Sequence, residues 1–220
     1  MLETVVEEYK KLTKEFTNFE LDRMLSGEYD KADAIVSINA GAGDDTLSIT
    51  VSNADDDNAS FAATGLELLQ IRGTGNGVGV VDLDLGDVAG LETVEFRRMA
   101  EDVTVTNLQD LDTALKISDT ANANSNVIVN FDAAQVSGTA DTASLTVDNV
   151  TIGADFTVNG VETIAVTAVG LKNDIDIDGD KLETVTVSGS GDISMDVDAS
   201  VTTFNASTAT GDVTMVATAA

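Results

Sequence analysis

The chain has 220 residues, 39 of them acidic and 11 basic, and a net charge of −28. A surface this negative repels nucleic acid and anionic lipid, which removes both as partners. With no Cys and no His, it lacks disulfides, thiolate metal sites, the usual zinc ligand and the commonest general base.

Leu2, Val5, Tyr9, Leu12, Phe16 and Phe19 are spaced by three and four residues. That apolar stripe predicts an amphipathic helix over about 2–25, ending near Gly27. Its charged faces are unlike a signal peptide. The first domain is therefore 1–31, the helix and a linker, which caps the neighbouring domain or meets another subunit. It holds eight acidic and five basic residues, whereas 32–220 holds 31 acidic and six basic. Disorder does not follow from that acidity, because 43% of the chain is hydrophobic, with Val, Ile and Leu in alternating runs. No apolar run reaches the ~20 residues that span a bilayer, so membrane insertion is not expected.

From residue 33 onward, short Val-, Thr- and Ile-rich runs are punctuated by Gly, Asn and Asp. "AGAGDDTLS" at 40–48 reads as a Gly-Asp turn between strands, and "DDD" at 55–57 as a hydrated loop. A first repeated phrase then appears, apolar-x-x-apolar-x-apolar, usually with Glu second. Its copies are "LELLQI" from Leu66, "LETVEF" from Leu91, "VETIAV" from Val161, "LETVTV" from Leu182 and "VTTFNA" from Val201. A weaker copy starts at Leu111, where Lys116 breaks the last position. "GTGNGVG" at 73–79 lacks a Walker lysine and reads as a corner. Arg97 and Arg98 form a salt-bridge patch with an acidic neighbour, or an anion or subunit contact.

A second phrase, Asp followed by alternating apolar residues, begins at Asp102, Asp155, Asp174, Asp192 and Asp212. The last four lie 19, 18 and 20 residues apart. Two markers keeping one ~20-residue period predict a mainly β fold, a parallel β-solenoid (β-helix), because a rung this short buries its apolar face only against its neighbours. Phe156, Val158, Ile175, Ile177, Ile193, Met195, Val213 and Met215 then face inward. The ~20-residue repeat is too short for a β-sandwich, the alternative fold. The pattern stops at "VTMVATAA" with no cap, so a longer chain or a covering partner is expected there.

Stacked rungs would place Asp155, Asp174, Asp192 and Asp212 in a ladder at one corner, either capping turns or bridged by a divalent cation. "DIDIDGD" at 174–180 opens like a calcium loop, with Asp174, Asp176, Asp178 and Asp180 as oxygen ligands and Gly179 at the turn. It departs from an EF-hand, because Val185 stands at the twelfth position and strands flank it. A solvated acidic strand face is the other reading. Asp82, Asp84, Asp196 and Asp198 are weaker candidates of the same kind.

"AGAGDDTLS" resembles the calcium-binding nonapeptide of RTX proteins, with Ala40 in place of the first glycine. The resemblance implies that Gly41 and Gly43 turn the chain and offer carbonyls, that Asp45 binds calcium and that Leu47 points inward. RTX sites use consecutive copies, and a single copy stands here. More broadly, "NGVETIAV" and "DKLETVTV" resemble the rungs of RTX-linked bacterial surface-layer proteins and large adhesins. That resemblance implies a secreted structural segment at the cell surface, exported by a type I route, with calcium as cofactor and copies of itself as partners. An adhesin-type binding module is the alternative. With no Trp, two Tyr and few basic residues, a polysaccharide-active β-helix enzyme is the less favoured reading, and no enzymatic activity is expected.

Overall fold

The computed structural model describes residues 37–39, 43–51, 57–74, 80–120, 125–151 and 153–218. All lie in the unit Val36–Ala220. The helix expected over 2–25, with the 1–31 domain, lies outside the described residues.

The described residues contain strands and no helix. In chain order the strands are β1 Ser37–Asn39, β2 Thr46–Val51, β3 Asp57–Ser60, β4 Ala62–Thr64, β5 Leu68–Gly73, β6 Val80–Asp84, β7 Val88–Ala89, β8 Thr93–Arg97, β9 Asp102–Leu108, β10 Ala114–Ser118, β11 Val127–Phe131, β12 Thr142–Asp148, β13 Ala154–Asn159, β14 Thr163–Val169, β15 Lys172–Asp178, β16 Thr184–Gly189, β17 Asp192–Asp198, β18 Thr203–Ala209 and β19 Val213–Thr218. One eight-stranded sheet takes β2, β5 and then the even-numbered strands β8 to β18. A second takes β3, β6 and the odd-numbered strands β9 to β19, and β1, β4 and β7 make a short third sheet.

Every pairing is parallel and joins a strand to its counterpart one turn away. This is a parallel β-solenoid, with no antiparallel pair of the kind a sandwich requires among the described residues. Eight strands in each long sheet make about seven turn-to-turn steps of about 21 residues, or about 34 Å of stacked strands. The expected two-stranded rung holds for most of the length. The first three turns add a short third strand.

The alternation in the sequence sets the interior. In β14 the odd positions Thr163, Ala165, Thr167 and Val169 stay partly exposed while Ile164, Val166 and Ala168 are buried. Stacking turns such positions into columns. Val103, Val127, Phe156, Ile177 and Val197 follow one another across β9, β11, β13, β15 and β17, and all five are at most 1% exposed. The predicted inward residues from Phe156 to Met195 are buried. Val213 is only partly buried and Met215 is 37% exposed, because among the described residues β19 has a neighbour on one side only.

Two corrections concern register. Leu115 and Ile117, not Ala114 and Lys116, align with Val94 and Phe96. The weak copy therefore starts at Asp112, and Lys116 lies on the outer face beside Glu95 instead of breaking the interior. The early and late copies of the first phrase are also two residues out of step. Val94 stacks on Leu115, Leu115 on Leu145 and Leu145 on Val166, so the fourth position of "LETVEF" meets the sixth of "VETIAV". An even offset keeps every side chain on its own face. It also lets β12 and β14 add an inward pair, Ala143 and Ile164, that five-residue β8 and β10 lack.

Corners are closed by backbone and by single side chains. The Glu67, Glu162 and Glu183 carbonyls each accept two N–H groups from the following rung. Asn173, fully buried, gives its amide to the Val169 and Asp192 carbonyls and accepts the Val150 N–H. One side chain thus satisfies backbone groups of three successive rungs. Gly189 holds φ +99°, and a Cβ there would collide with the Ala168 carbonyl oxygen, so the close approach of rungs requires glycine.

Candidate functional site

Parallel in-register pairing has a direct electrostatic consequence: like residues on the outer face repeat at the strand spacing of about 4.8 Å. On the β13, β15 and β17 faces this aligns Asp155 with Asp176 and Asp176 with Asp196. Ile177 pairs with Val197, which sets Asp178 beside Asp198 in the next row outward. Asp174 faces Ser194. At the start of the same strands Lys172 stands in register with Asp192.

The predicted corner ladder of Asp155, Asp174, Asp192 and Asp212 does not form as such. Asp192 and Asp212 remain neighbours, and Asp192 Oδ1 accepts the Asp212 N–H at 2.9 Å, a cap between rungs. Asp174 sits two residues, and Asp155 four, farther along their strands than a shared Asp start would place them. The signal was present in the sequence: Lys172 follows Val161 by 11 residues, as Asp192 follows Leu182 by 10 and Asp212 follows Val201 by 11, while Asp174 lies 13 on. Lys172, not Asp174, holds the corner position. Asp196, a weak candidate from its local motif, is a full member of the ladder.

"DIDIDGD" is a strand and a turn, not a loop. Asp174, Asp176 and Asp178 lie along β15 on its outer face, while Asp180 in the turn caps the Gly160 N–H through Oδ1 at 2.6 Å. These four do not converge on one point. Among the described residues, no three acidic side chains are grouped so as to hold a metal ion. What the arrangement offers instead is adjacent carboxylate pairs across rungs, which suit a cation bridging two strands and keeping water ligands.

Crowding shows in the titration of these groups. Burial, then the charges of Asp196 and Asp155, a hydrogen bond shared with Asp155 and the charge of Asp174 push the Asp176 carboxyl up to about 6. Burial and the charges of Asp198 and Asp155 also raise Asp178. A folded value above the unfolded 3.8 means that the native state holds the proton more tightly. Asp176 thus favours folding fully below pH ~4, and that contribution is lost as pH rises through about 6. Asp176→Asn is therefore expected to raise stability at pH 7 in chelator by about 1 kcal/mol, after discounting for solvent screening. It should leave stability near pH 3 unchanged. Paired denaturant titrations at the two pH values check this; an equal effect at both would show that the gain is not electrostatic.

The other long sheet treats its charges differently. Glu95 accepts hydrogen bonds from Ser118 Oγ (2.7 Å) and Gln70 Nε2 (2.8 Å) and pairs with Lys116 Nζ at 3.2 Å. Burial pushes its carboxyl up, but those three partners outweigh it and hold the group below its ordinary range. Lys116 also reaches Asp148 at 3.5 Å. Arg97 and Arg98 share Asp119, at 3.3 and 3.9 Å, which makes them a surface ion-pair patch.

At the RTX-like turn, Gly41 lies outside the described residues. Gly43 has φ +148°, a conformation that favours glycine. Leu47 points inward and packs against the core. The Asp45 N–H donates to Glu67 Oε2 at 2.8 Å, and Asp45 Oδ2 is shielded from solvent without a hydrogen-bond partner among the described residues. Glu67 and Glu162 play one part in two rungs, since Glu162 Oε2 accepts the Asp141 N–H at 2.8 Å. The recurrent Glu of the first phrase is therefore a corner cap at these two positions.

A cleft of about 420 Å³ lies elsewhere, lined by Phe61, Asp84, Asp87, Asn107, Gln109 and Asp132 among others. No local motif in the sequence marks it, because its residues come from four successive rungs. The chain matches no protein-family model, no curated protein and no solved structure.

Proposed function

We propose that this chain is a structural segment of a calcium-dependent bacterial surface-layer or cell-surface protein, a rigid acidic solenoid that spaces or self-assembles outside the cell. The observation that carries this reading is the in-register row Asp155–Asp176–Asp196 with Asp178 and Asp198 beside it. Such a row is destabilising by itself and is relieved by a cation that bridges successive rungs. The unsatisfied Asp45 Oδ2 fits the same reading at the RTX-like turn. Calcium would be held there by Asp45 and along the face by Asp155, Asp176, Asp178, Asp196 and Asp198, supplying charge and cross-rung bonds rather than chemistry. No enzymatic role is assigned. Type I export and a cell-surface location accompany this reading, through the resemblance of the repeats.

Bound only by the folded state, calcium stabilises by mass action. At millimolar calcium the expected gain over chelator is about 1–2 kcal/mol for a site of about 0.1 mM affinity. A thermal melt by circular dichroism, with light scattering read alongside, tests it. A calcium-specific rise with added scattering supports the proposal, and equal responses to calcium, magnesium and chelator overturn it.

One feature favours the alternative, an adhesin-type binding module: the polar cleft at Phe61, Asp84 and Asn107, whose amides and carboxylates suit a hydroxyl-rich ligand. Saturable binding on a neutral glycan array, abolished by Asn107→Ala, would favour it.

A further inference from the structure

The cleft beside Phe61 has its origin in the lengths of successive corners. Leaving β6, β9 and β11, the chain uses residues 85–92 to reach β8, 109–113 to reach β10 and 132–141 to reach β12. A short corner between two longer ones leaves a notch. The cleft of about 420 Å³ lies there, with Asp84 and Asp87 from one rung, Asn107 and Gln109 from the next and Asp132 from the one after. That volume is within the range of small-ligand sites. The central rung has described rungs on both sides. A β-bulge shapes its middle: Val105 pairs with Val129 and Leu108 with Phe131, so β9 carries one residue more than β11 between those pairs. Asn107 takes up the difference at φ +56°, in the left-handed region that asparagine tolerates.

Internal hydrogen bonding leaves this cleft mainly with acceptors. Asn107 Nδ2 donates to Asp84 Oδ1 at 2.9 Å, and Gln109 Nε2 donates to the Asn107 carbonyl at 2.8 Å. Both amide nitrogens are thus turned to protein partners, while their side-chain oxygens have none among the described residues. Asp84 Oδ1 also accepts the Gly86 N–H, and Asp132 Oδ1 the Ala134 N–H, both at 2.9 Å. The second oxygen of each, and the whole Asp87 carboxylate, have no partner among the described residues. No lysine or arginine lines the cleft. A metal ion is a poor match, since no three acidic side chains among the described residues are grouped closely enough to hold one. The acceptors are instead spread over a cleft of molecular size. A ligand with several donors on its own frame matches them, provided that it carries positive charge to answer three carboxylates. Phe61 adds an apolar surface, which suits the C–H face of a sugar ring or an ammonium group.

We infer that this cleft is a binding site for an amino sugar. Its ammonium is held by Asp87 and Asp132, and its hydroxyls donate to the free oxygens of Asp84, Asn107 and Gln109. The amine sets the specificity. Acetylation would remove the charge and bring a carbonyl acceptor against carboxylates, and a neutral sugar would leave those carboxylates unanswered. An acidic sugar would be repelled. The inference goes beyond the structural role proposed above and requires neither calcium nor self-assembly. It narrows the adhesin-type alternative to one class of ligand.

Titration of the 220-residue chain with a glucosamine disaccharide, followed by heteronuclear NMR at about pH 6 and about 0.15 M NaCl, tests it. The expected result is saturable shifts at the side-chain amides of Asn107 and Gln109. The diacetylated disaccharide should bind at least about tenfold more weakly. Asp87→Asn with Asp132→Asn keeps an oxygen to cap the Ala134 N–H and is expected to weaken binding more than about tenfold. The control, Glu92→Gln with Glu183→Gln, removes equal charge from exposed positions outside the cleft and should leave the affinity unchanged. Equal binding of the acetylated sugar, equal losses in the two double variants, or shifts centred on Asp155, Asp176 and Asp196 would each overturn the inference. The comparison of the two sugars uses the unaltered chain, so it decides the matter even where a variant fails to fold. Preference for a neutral glycan would overturn the inference and leave the adhesin-type alternative standing. A melt indifferent to calcium, with the amino sugar still bound, would strike only the surface-layer reading.

Discussion

Phe156→Ala is expected to cost about 3–5 kcal/mol and to lower the melting temperature by about 10 °C or more. Phe156 is fully buried, one of the largest side chains of the core, and is held between Val127 and Ile177 in successive rungs. Those neighbours cannot close the gap. Their spacing is fixed by strand hydrogen bonds on both sides, so the cavity stays open and its full cost is felt. In a domain whose total stability is of order 5–15 kcal/mol, this is a large fraction. Phe204 supplies an internal comparison, because it occupies an inward position in the last turn and is only partly buried. Phe204→Ala should cost less than half as much. A denaturant titration of both variants checks the contrast, and equal losses would mean that the terminal turn is covered by something that buries Phe204 equally well.

Glu101→Met is expected to act in the opposite direction, stabilising by up to about 3 kcal/mol. Glu101 is 0% exposed, and both carboxyl oxygens lie buried without a hydrogen-bond partner among the described residues. It sits where the chain turns into β9. There the Ala100 N–H bonds the Gly73 carbonyl of the preceding rung, and the approach is close enough that a Cβ on Gly73 would crowd Met99 and Glu101. A carboxyl group in such a place loses its hydration whatever its protonation state and gains nothing in exchange. Methionine has similar length, bends to fit irregular space and needs no partner. The denaturant midpoint reads the outcome. A loss of stability in the methionine variant would show that the carboxylate has a partner, such as a bound cation or a trapped water.

Periodicity made the architecture legible. The ~20-residue spacing of two independent phrases, with tight polar turns, leaves few ways to bury an apolar face, and stacking is the simplest. The inward residues from Phe156 to Met195 followed from alternation alone. Register was harder, because aligning repeats on a shared Asp gives the wrong partners when the aspartates are offset by two or four residues and every side chain still faces the correct way. Asp155, Asp174 and Asp196 were misjudged for that reason. Glu101 was illegible for another: "MAEDV" resembles any charged corner, and nothing local shows that the neighbouring rung closes over it. Lys116 looked like a fault in the core only because its copy was read one residue early.

The row Asp155–Asp176–Asp196 has a consequence beyond any single site. Charges about 4.8 Å apart are closer than the distance at which two charges in water interact by thermal energy, about 7 Å. Such a row behaves as a short stretch of polyelectrolyte and gathers a loose sheath of counterions before any one of them is coordinated. Replacing two sodium ions in that sheath by one calcium ion releases particles to the solvent. The entropy of that exchange favours the divalent ion even where geometry is indifferent. A solenoid that repeats aspartate at rung spacing therefore responds to the ionic composition of its surroundings as a length of charged surface, graded rather than switched.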